Sequence, residues 1–489
     1  MAGNIPGATI YEATCNCRFA KNYPFAIGPR LGAAYQITPK TVFRAGFGVV
    51  YAKTAAYDNY TISSNNPFVS PGGFTPAMFL QNGIQTPINP WPYFAPGQFP
   101  NIPGQIGTAP SLVDQNSGRP PRQLQWSVGV QREVLRDLVV EASYVGNRGA
   151  YWPANGFAVY NALTPQILAA HGLNINNPAD VALLGDTITN PAVVARGFGL
   201  PYAGFPTSST LAQALRPYPQ FGNISGMYAP LGDTWYDSLQ VKGTKRLSHG
   251  LDASYSLSWQ KSLTMGAEAE GTGGGAINDA FNRPVNKDIS LYDQPLVSII
   301  SVDYTTPRWG PKAASWIARD WTIGALLQYR SGLPIQAPAS TNNLASTLFQ
   351  TTFANRVPGV DPFTQDLNCH CFNPTSTFVL NPAAWTQPAA GQFGTAAAYY
   401  TDYRYQRRPT ESMSLGRTFR IKDKGATLNI RGEFTNIFNR TEINNPTSTN
   451  SAQTQLTSGG RATGGFGFIS TGSTFGLPRQ GTIVARFQF

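Results

Sequence analysis

Apolar and polar residues alternate along many segments of the chain. In residues 251–260 every odd position is apolar and every even one polar, and residues 43–51, 124–131 and 483–489 largely repeat this period. Successive side chains of a β-strand point to opposite faces, so the pattern predicts strands with one apolar and one polar face. A soluble antiparallel sheet with one solvated face would give the same alternation.

The length of the alternating segments favours a membrane location. Each covers about 9–13 residues, whereas strands of soluble sheets commonly have ~5–6, and a tilted strand that crosses the hydrocarbon layer needs ~9–11. Eleven strands are predicted, at residues 30–38, 41–51, 122–132, 137–147, 234–247, 251–262, 296–306, 319–330, 410–421, 426–438 and 480–489.

Short and long connections alternate between these strands. Tight turns around residues 39, 135, 249 and 423 alternate with connections of roughly thirty to eighty residues. In an up-and-down barrel alternate connections lie at the same end, and outer-membrane barrels combine short periplasmic turns with long extracellular loops. Irregular loops of such length are uncommon in compact soluble domains. We therefore predict an all-β, transmembrane, antiparallel up-and-down β-barrel in the outer membrane, with membrane lipid around it.

Composition agrees with a loop-rich β-protein. Charged residues make up 12% of the 489 residues and aromatic residues another 12%, which argues against coiled coils and disordered chains. The net charge is +11, yet the densest basic sites are pairs such as Lys245-Arg246 and Arg407-Arg408. We therefore expect no nucleic-acid partner.

The beginning of the sequence bears on its completeness. Residues 1–6 lack the basic and apolar regions of a signal peptide, so either the protein is cytosolic or its true N-terminus is missing. An odd number of strands would also place the two termini on opposite sides of the membrane, whereas bacterial barrels have even numbers. We expect residues 1–27 to be part of an extracellular loop or a strand remnant, and residues 28–489 to be the C-terminal part of a barrel.

Several runs resemble the Oar-like TonB-dependent receptors of the outer membrane. They are the residues 28–35 followed by 38–41, 126–133 continuing to 144–149, 372–374, 381–385 and 431–439. The resemblance implies a 22-stranded barrel, of which eleven strands would be half. It also implies an N-terminal plug and a TonB-type energy-coupling complex, which would act only through an N-terminal region missing here. A receptor or transporter that binds or passes a bulky solute is the implied function.

Two cysteine pairs are the first candidates for site chemistry. Cys15 and Cys17, like Cys369 and Cys371, are separated by one residue, which is tighter than the usual spacing of zinc ligands. We predict disulfides that staple extracellular loops, with the pairing left open. The histidines His171, His249 and His370 lack a triad signature, and neither a nucleophile elbow nor a phosphate-binding loop occurs. We expect no enzymatic activity, no metal and no cofactor.

Charged residues on the polar phase of the strands are the candidate lumen-facing groups. They either fill the lumen and pair with a plug, or form a basic interior that attracts anionic solutes. These residues are Arg44, Lys242, Arg330, Arg431, Glu433 and Arg486.

Aromatic residues near strand ends are expected at the membrane–water boundary, where amphipathic rings are favoured. They are Tyr51, Trp235, Trp259, Trp321, Tyr329 and Phe438. The terminal strand ends in Phe487 and Phe489, which resemble the sorting signal that the barrel-assembly machinery reads.

Two other functions remain open beside the receptor. A surface-binding or adhesion barrel would use its long loops to contact other cells or polymers, and a stand-alone passive porin would be complete in itself. If the chain is part of a receptor barrel, strands 30–38 and 480–489 are expected to be the two edges of the sheet. A porin would instead pair Ile483, Ala485 and Phe487 with the first strand.

Overall fold

A computed structural model of the chain describes residues 20–52, 104–107, 112–224, 226–267, 275–307, 317–342, 344–369, 371–421 and 426–489. One large antiparallel sheet organises this part of the chain. Its main strands are β1 (Arg30–Thr38), β2 (Thr41–Tyr51), β3 (Arg122–Leu135), β4 (Leu138–Trp152), β5 (Gly232–Ser248), β6 (Leu251–Met265), β7 (Leu296–Thr305), β8 (Trp321–Arg330), β9 (Thr410–Arg420), β10 (Thr427–Thr435) and β11 (Gln480–Gln488).

Each strand pairs with its neighbours in sequence, so the sheet is a continuous meander from β1 to β11. A further short strand, Lys287–Ile289, pairs with the end of β6. All eleven predicted strands are confirmed. The strands β4 to β6 extend further than predicted at the end where the long connections begin, whereas β3 extends further at its short turn to β4.

The two edges of the described sheet are β1 and β11. All nine residues of β1 are exposed, and among the described strands β1 pairs only with β2. The residues Ile483, Ala485 and Phe487 pair with β10, and in the described part of the chain no ladder joins them to β1. The prediction that these strands are edges is confirmed.

One face of the sheet is apolar and lacks a protein cover. Cross-strand partners point to the same side of a sheet, and the register places Val128, Leu415 and Ile483 on this apolar face. These side chains are 46%, 50% and 82% exposed. A face of this kind is stable where lipid covers it.

The long connections carry the hydrophobic core. The largest fully buried side chains, from Leu163 to Ile469, all lie in connections between the main strands. They form two clusters, one around Leu184 and Leu211 and one around Tyr403 and Phe466. We call the described residues of 153–231, 331–409 and 436–479 the loop assembly.

Short elements build this loop assembly and the segments beside it. The helices are Pro165–Ala170, Pro178–Gly185, Pro191–Ala195, Leu211–Ala214 and Leu344–Thr347, with 3-10 turns at Asn155–Phe157, Arg283–Asn286 and Pro382–Ala384. Short strand pairs join Leu112–Val113 to Gly226–Met227, Pro334–Gln336 to Tyr399–Arg404, Asn355–Arg356 to Trp385–Thr386, and Leu456–Ser458 to Arg461–Gly464. Among the described helices, none has the length and hydropathy to cross a membrane.

Candidate functional site

The polar face of the sheet collects all six candidate lumen residues. Arg44 and Arg330 lie in one cross-strand row, which runs through Gly129, Gln240 and Val297. Lys242, Arg431, Glu433 and Arg486 fall on the same face by the same register. Since this face lies opposite the apolar one, it would line the interior of a barrel.

The charges of the polar face are partly balanced. Arg431 forms an ion pair with Glu433 at 2.5 Å, and Lys242 is the cross-strand partner of Glu141. Arg44 donates to the Gln131 side chain at 3.3 Å. The basic character therefore does not extend over the whole face.

Two carboxylates lie opposite each other toward the short-turn end of this face. Asp252 in β6 and Asp303 in β7 are cross-strand partners, and like charges directly opposite each other disfavour the sheet. Arg44 and Lys242 lie farther from the short turns, and Arg330 ends β8 on the side of the long loops. Arg431 and Arg486 lie closer to the short turns, so an anion that enters from the long-loop side would meet Arg330 first.

Small side chains leave room above the polar face. Serines occupy successive positions of this face in β6 and recur in the neighbouring strands. Examples are Ser127, Ser143, Ser254, Ser256, Ser258, Ser301, Ser412 and Ser414. A face with such short side chains does not fill a wide lumen by itself.

The loop assembly contains a polar cleft of about 900 Å³. Pro295 and Ser331, which adjoin β7 and β8, line it together with residues 359–368, Arg356, Thr401, Asp402, Arg404, Tyr405 and Arg407. The cleft therefore opens where the large sheet meets the loop assembly.

Ion pairs hold two of the three arginines that line this cleft. Arg356 donates to both carboxylate oxygens of Asp402, at 2.9 and 2.7 Å, and this hydrogen bonding lowers the pKa of Asp402. Arg404 donates at 2.6 Å to Asp293, whose side chain is only 2% exposed. Among the described residues, no carboxylate pairs with the exposed Arg407, so this guanidinium can accept an anionic ligand.

The cysteines lie beside the cleft or outside the described residues. A disulfide joins Cys369 to Cys371, whose Cα atoms are 5.1 Å apart, directly after the segment that lines the cleft. Cys15 and Cys17 fall outside the described residues, as does His370. Within the described ranges, no group of His, Cys, Asp and Glu has the arrangement of a metal site.

The candidate boundary aromatics mostly share the apolar face. Tyr51, Trp235, Trp259, Trp321 and Tyr329 lie on it by register. Phe438 lies beyond the end of β10 and is 60% exposed. At the C-terminus the ring of Phe487 lies 5.8 Å from that of Phe489.

Sequence reasoning missed the residues of the cleft. Arg356, Asp402, Arg404 and Asp293 come from three separate segments, and none belongs to a motif with a recognisable spacing. The only available signal was the density of Asn-Pro and Thr-Pro pairs in the long connections, which indicates ordered turns and helix starts.

Comparisons with known proteins point to an outer-membrane barrel. The profile of a family described as outer membrane beta barrel domain matches residues 4–481. No curated protein matches the sequence significantly.

Among solved structures, the outer membrane transporter YddB from Escherichia coli is similar with a TM-score of 0.38 and 11% identity, over 85% of this chain and 37% of that one. The ferric-catecholate import receptor Fiu from E. coli K12 has a TM-score of 0.34 and 10% identity, over 94% and 34%. The FrpB iron transporter from Neisseria meningitidis has a TM-score of 0.34 and 11% identity, over 94% and 39%. The chain thus spans less than half the length of these structures.

Proposed function

The chain belongs to the family of outer membrane beta barrel domains, and from this premise we propose that it is the C-terminal barrel portion of an Oar-like TonB-dependent receptor. In this proposal residues 28–489 are barrel, and residues 1–27 are part of a preceding loop or strand. The whole receptor binds a bulky solute or passes it across the outer membrane.

The open sheet is the observation that carries this proposal. In a meander of eleven strands, β1 and β11 run in the same direction, so they cannot pair with each other in an antiparallel barrel. Unpaired strand edges are not tolerated in hydrocarbon. An odd number of additional strands, from another part of the same protein, would satisfy both edges.

The polar face and the cleft support the binding of a solute. Serines leave space along the polar face, and the cleft above it offers the unpaired Arg407. A polar or anionic solute could therefore meet the loop assembly first and the basic part of the polar face next. A plug domain would occupy the same space between uptake events.

Other partners follow from the same proposal. The barrel-assembly machinery would bind the terminal strand with Phe487 and Phe489, and a TonB-type complex would act through an N-terminal region of the whole receptor. A surface-binding barrel is the second candidate, because the described residues of the loop assembly pack around two hydrophobic clusters and form a cleft. The stand-alone porin lacks support, since β1 and β11 are not paired.

Uptake measurements in cells test these functions against one another. Cells would express the complete reading frame that contains this chain, and would receive labelled oligosaccharides and iron chelates, with and without a protonophore. We expect accumulation of a bulky solute that the protonophore abolishes. Surface binding without accumulation would favour the adhesion barrel, and accumulation of small solutes that the protonophore leaves unchanged would favour the porin.

The double variant Arg44→Gln/Lys242→Gln tests the polar face in the same cells. Weaker uptake of anionic solutes, with folding unchanged, is expected if these residues meet the solute. The matched variant Arg132→Gln/Lys245→Gln places the same loss of charge on the opposite face and should leave uptake unchanged.

A further inference from the structure

In β3, the charged residues of the apolar face lie only at its two ends. In β3, Arg122 and Arg132 belong to this face, and the four residues of the same face between them are Leu124, Trp126, Val128 and Val130. Ten residues at ~3.4 Å each, tilted by ~40°, correspond to a height of about 26 Å. The charged residues therefore mark the two borders of the hydrocarbon layer.

A group of cations gathers around one tryptophan at the long-loop border. The guanidinium of Arg148 lies 5.0 Å from the centroid of the Trp235 ring, and the ammonium of Lys287 lies 4.3 Å from it. Lys261, on the same face of β6, lies one position further toward the hydrocarbon. We call Arg148, Lys261 and Lys287 the border cations.

Nearby carboxylates compensate these cations only in part, because Asp237 lies directly opposite Lys261 and Asp233 attracts Arg148 as well as Arg283. Asp237, the cross-strand partner of Lys261, accepts a hydrogen bond from the hydroxyl of Tyr144. Asp233 pairs with Arg283 at 2.8 Å. In the described part of the chain, the border cations form no salt bridge and remain exposed.

Exposed apolar side chains lie directly below the border cations. Leu239, Trp259 and Leu296 form one cross-strand row on the same face, and they are 41%, 64% and 45% exposed. A molecule bound at this place would therefore meet positive charge at the water side and an apolar surface within the membrane.

We propose that the border cations bind the phosphate groups of a phosphorylated glycolipid in the outer leaflet, whose acyl chains lie along the row of Leu239, Trp259 and Leu296. Arginine and lysine are the usual partners of phosphate groups, and the low dielectric of the adjacent hydrocarbon strengthens such pairs. Free phosphate would use only the cations, whereas a lipid also uses the apolar row. The solute of the proposed receptor would instead enter the barrel along the opposite, polar face of the sheet.

Lipid retention by the purified protein tests this proposal. The complete protein that contains this chain would be extracted from outer membranes in mild detergent, incubated with lipopolysaccharide, and analysed by native mass spectrometry. The variant Arg148→Gln/Lys287→Gln should retain about tenfold less glycolipid. The matched control Arg132→Gln/Lys245→Gln removes one arginine and one lysine from the same face at the other border, and should retain as much as the unaltered chain.

Further variants and lipids identify the ligand and control for misfolding. Lys261→Gln alters an exposed side chain that forms no salt bridge with a described residue, so this variant should fold normally and still weaken retention severalfold. Lipopolysaccharide from which the phosphates have been removed should be retained weakly by every variant. Equal losses in the control, equal retention of the dephosphorylated lipid, or binding of inorganic phosphate alone with the same dependence on Arg148 would each overturn the proposal.

Discussion

Glu411 lies in β9 on the apolar side of the sheet, and its side chain is only 1% exposed. Arg440 donates to both of its carboxylate oxygens, at 2.7 and 3.0 Å, and Tyr329 donates to it at 3.1 Å. Arg440 directly follows the run 431–439, which carried part of the family resemblance. That run is therefore held to the preceding strand by a buried, fully hydrogen-bonded carboxylate.

Replacing this carboxylate should destabilise the protein measurably. Glu411→Gln would lose charge-assisted hydrogen bonds, which contribute about 1.5–3 kcal/mol. The control Glu433→Gln affects a pair whose side chains are 44% and 43% exposed, and such pairs contribute roughly 0–1 kcal/mol. Urea unfolding in detergent micelles gives both values, and equal losses would contradict the structural role of Glu411.

Two carboxylates of the loop assembly should respond oppositely to pH. Burial raises the pKa of Glu442, which Arg408 only partly offsets, while the hydrogen bond from Arg356 lowers the pKa of Asp402. A carboxyl group whose pKa is raised by folding stabilises the protein at pH values below its pKa in the unfolded chain, and this stabilisation is lost as the pH rises through its pKa in the folded protein. A carboxyl group whose pKa is lowered by folding stabilises the protein at pH values above its pKa in the unfolded chain, and this stabilisation is lost as the pH falls through its pKa in the folded protein.

The variants Glu442→Gln and Asp402→Asn make this difference visible. At neutral pH we expect Glu442→Gln to protect the loop assembly from proteolysis and Asp402→Asn to sensitise it slightly, since Asp402 is largely exposed. Both differences should shrink toward pH 3, near and below the ordinary carboxyl range of ~4. Changes of the same sign in both variants at pH 7 would show that these pKa shifts do not control the loop assembly.

At the scale of elements, three short helices begin in the same way. Thr164, Asn177 and Asn190 each accept a hydrogen bond from a backbone N–H of the following turn, and a proline follows each of them. Proline suits the first helical position because its missing N–H would have no partner there. These caps recur every thirteen residues, so this connection is built from similar helical units.

Asn177→Ala should loosen the start of the helix Pro178–Gly185. The Asn177 side chain accepts from the N–H of Ala179 at 3.0 Å, and loss of such a cap costs about 1 kcal/mol. Hydrogen exchange of Ala179 should become roughly fivefold faster. Asn177→Asp keeps an acceptor and should leave exchange nearly unchanged, so faster exchange in both variants would assign the effect to something other than the cap.

The difference between strands and loops explains how far the sequence could be interpreted. Strands such as β2 and β6 were predictable because membrane and lumen impose a period of two on every residue. The contacts of Arg404 with Asp293 and of Gln392 with Ile175 join segments far apart in sequence. No local period encodes such contacts, so the cleft could not be predicted although the turns and helix caps around it were visible.

At the scale of the whole molecule, the alternation of short and long connections predicts orientation. Ser208 lies exposed in the connection between β4 and β5, and Lys40 lies in the β1–β2 turn. In the full-length protein on intact cells, an impermeant maleimide should label Ser208→Cys but not Lys40→Cys until the outer membrane is permeabilised. The same labelling of the unaltered protein gives the background signal from its native cysteines. Labelling of both sites on intact cells would contradict the predicted orientation.

The sheet has an odd number of main strands, and this number fixes the relative direction of its two edge strands. Because β1 and β11 run in the same direction, an antiparallel barrel can contain both only when further strands separate them. A second copy of the chain inserted in the same orientation would not help, since its edges run in the same direction too. In the assembled full-length protein, Ala33 and Ala485 should therefore lie far apart on the apolar face.

Disulfide trapping measures this separation. Ile430→Cys/Ala485→Cys joins direct cross-strand partners of β10 and β11, so under mild oxidation this pair should cross-link and serve as the positive control. Ala33→Cys/Ala485→Cys should remain reduced under the same conditions, because at least one strand would intervene and bring the Cα separation beyond the ~7 Å that a disulfide can span. Efficient cross-linking of Ala33→Cys to Ala485→Cys within one chain would mean that β1 and β11 close the barrel directly. The eleven strands would then form a complete pore without an upstream partner.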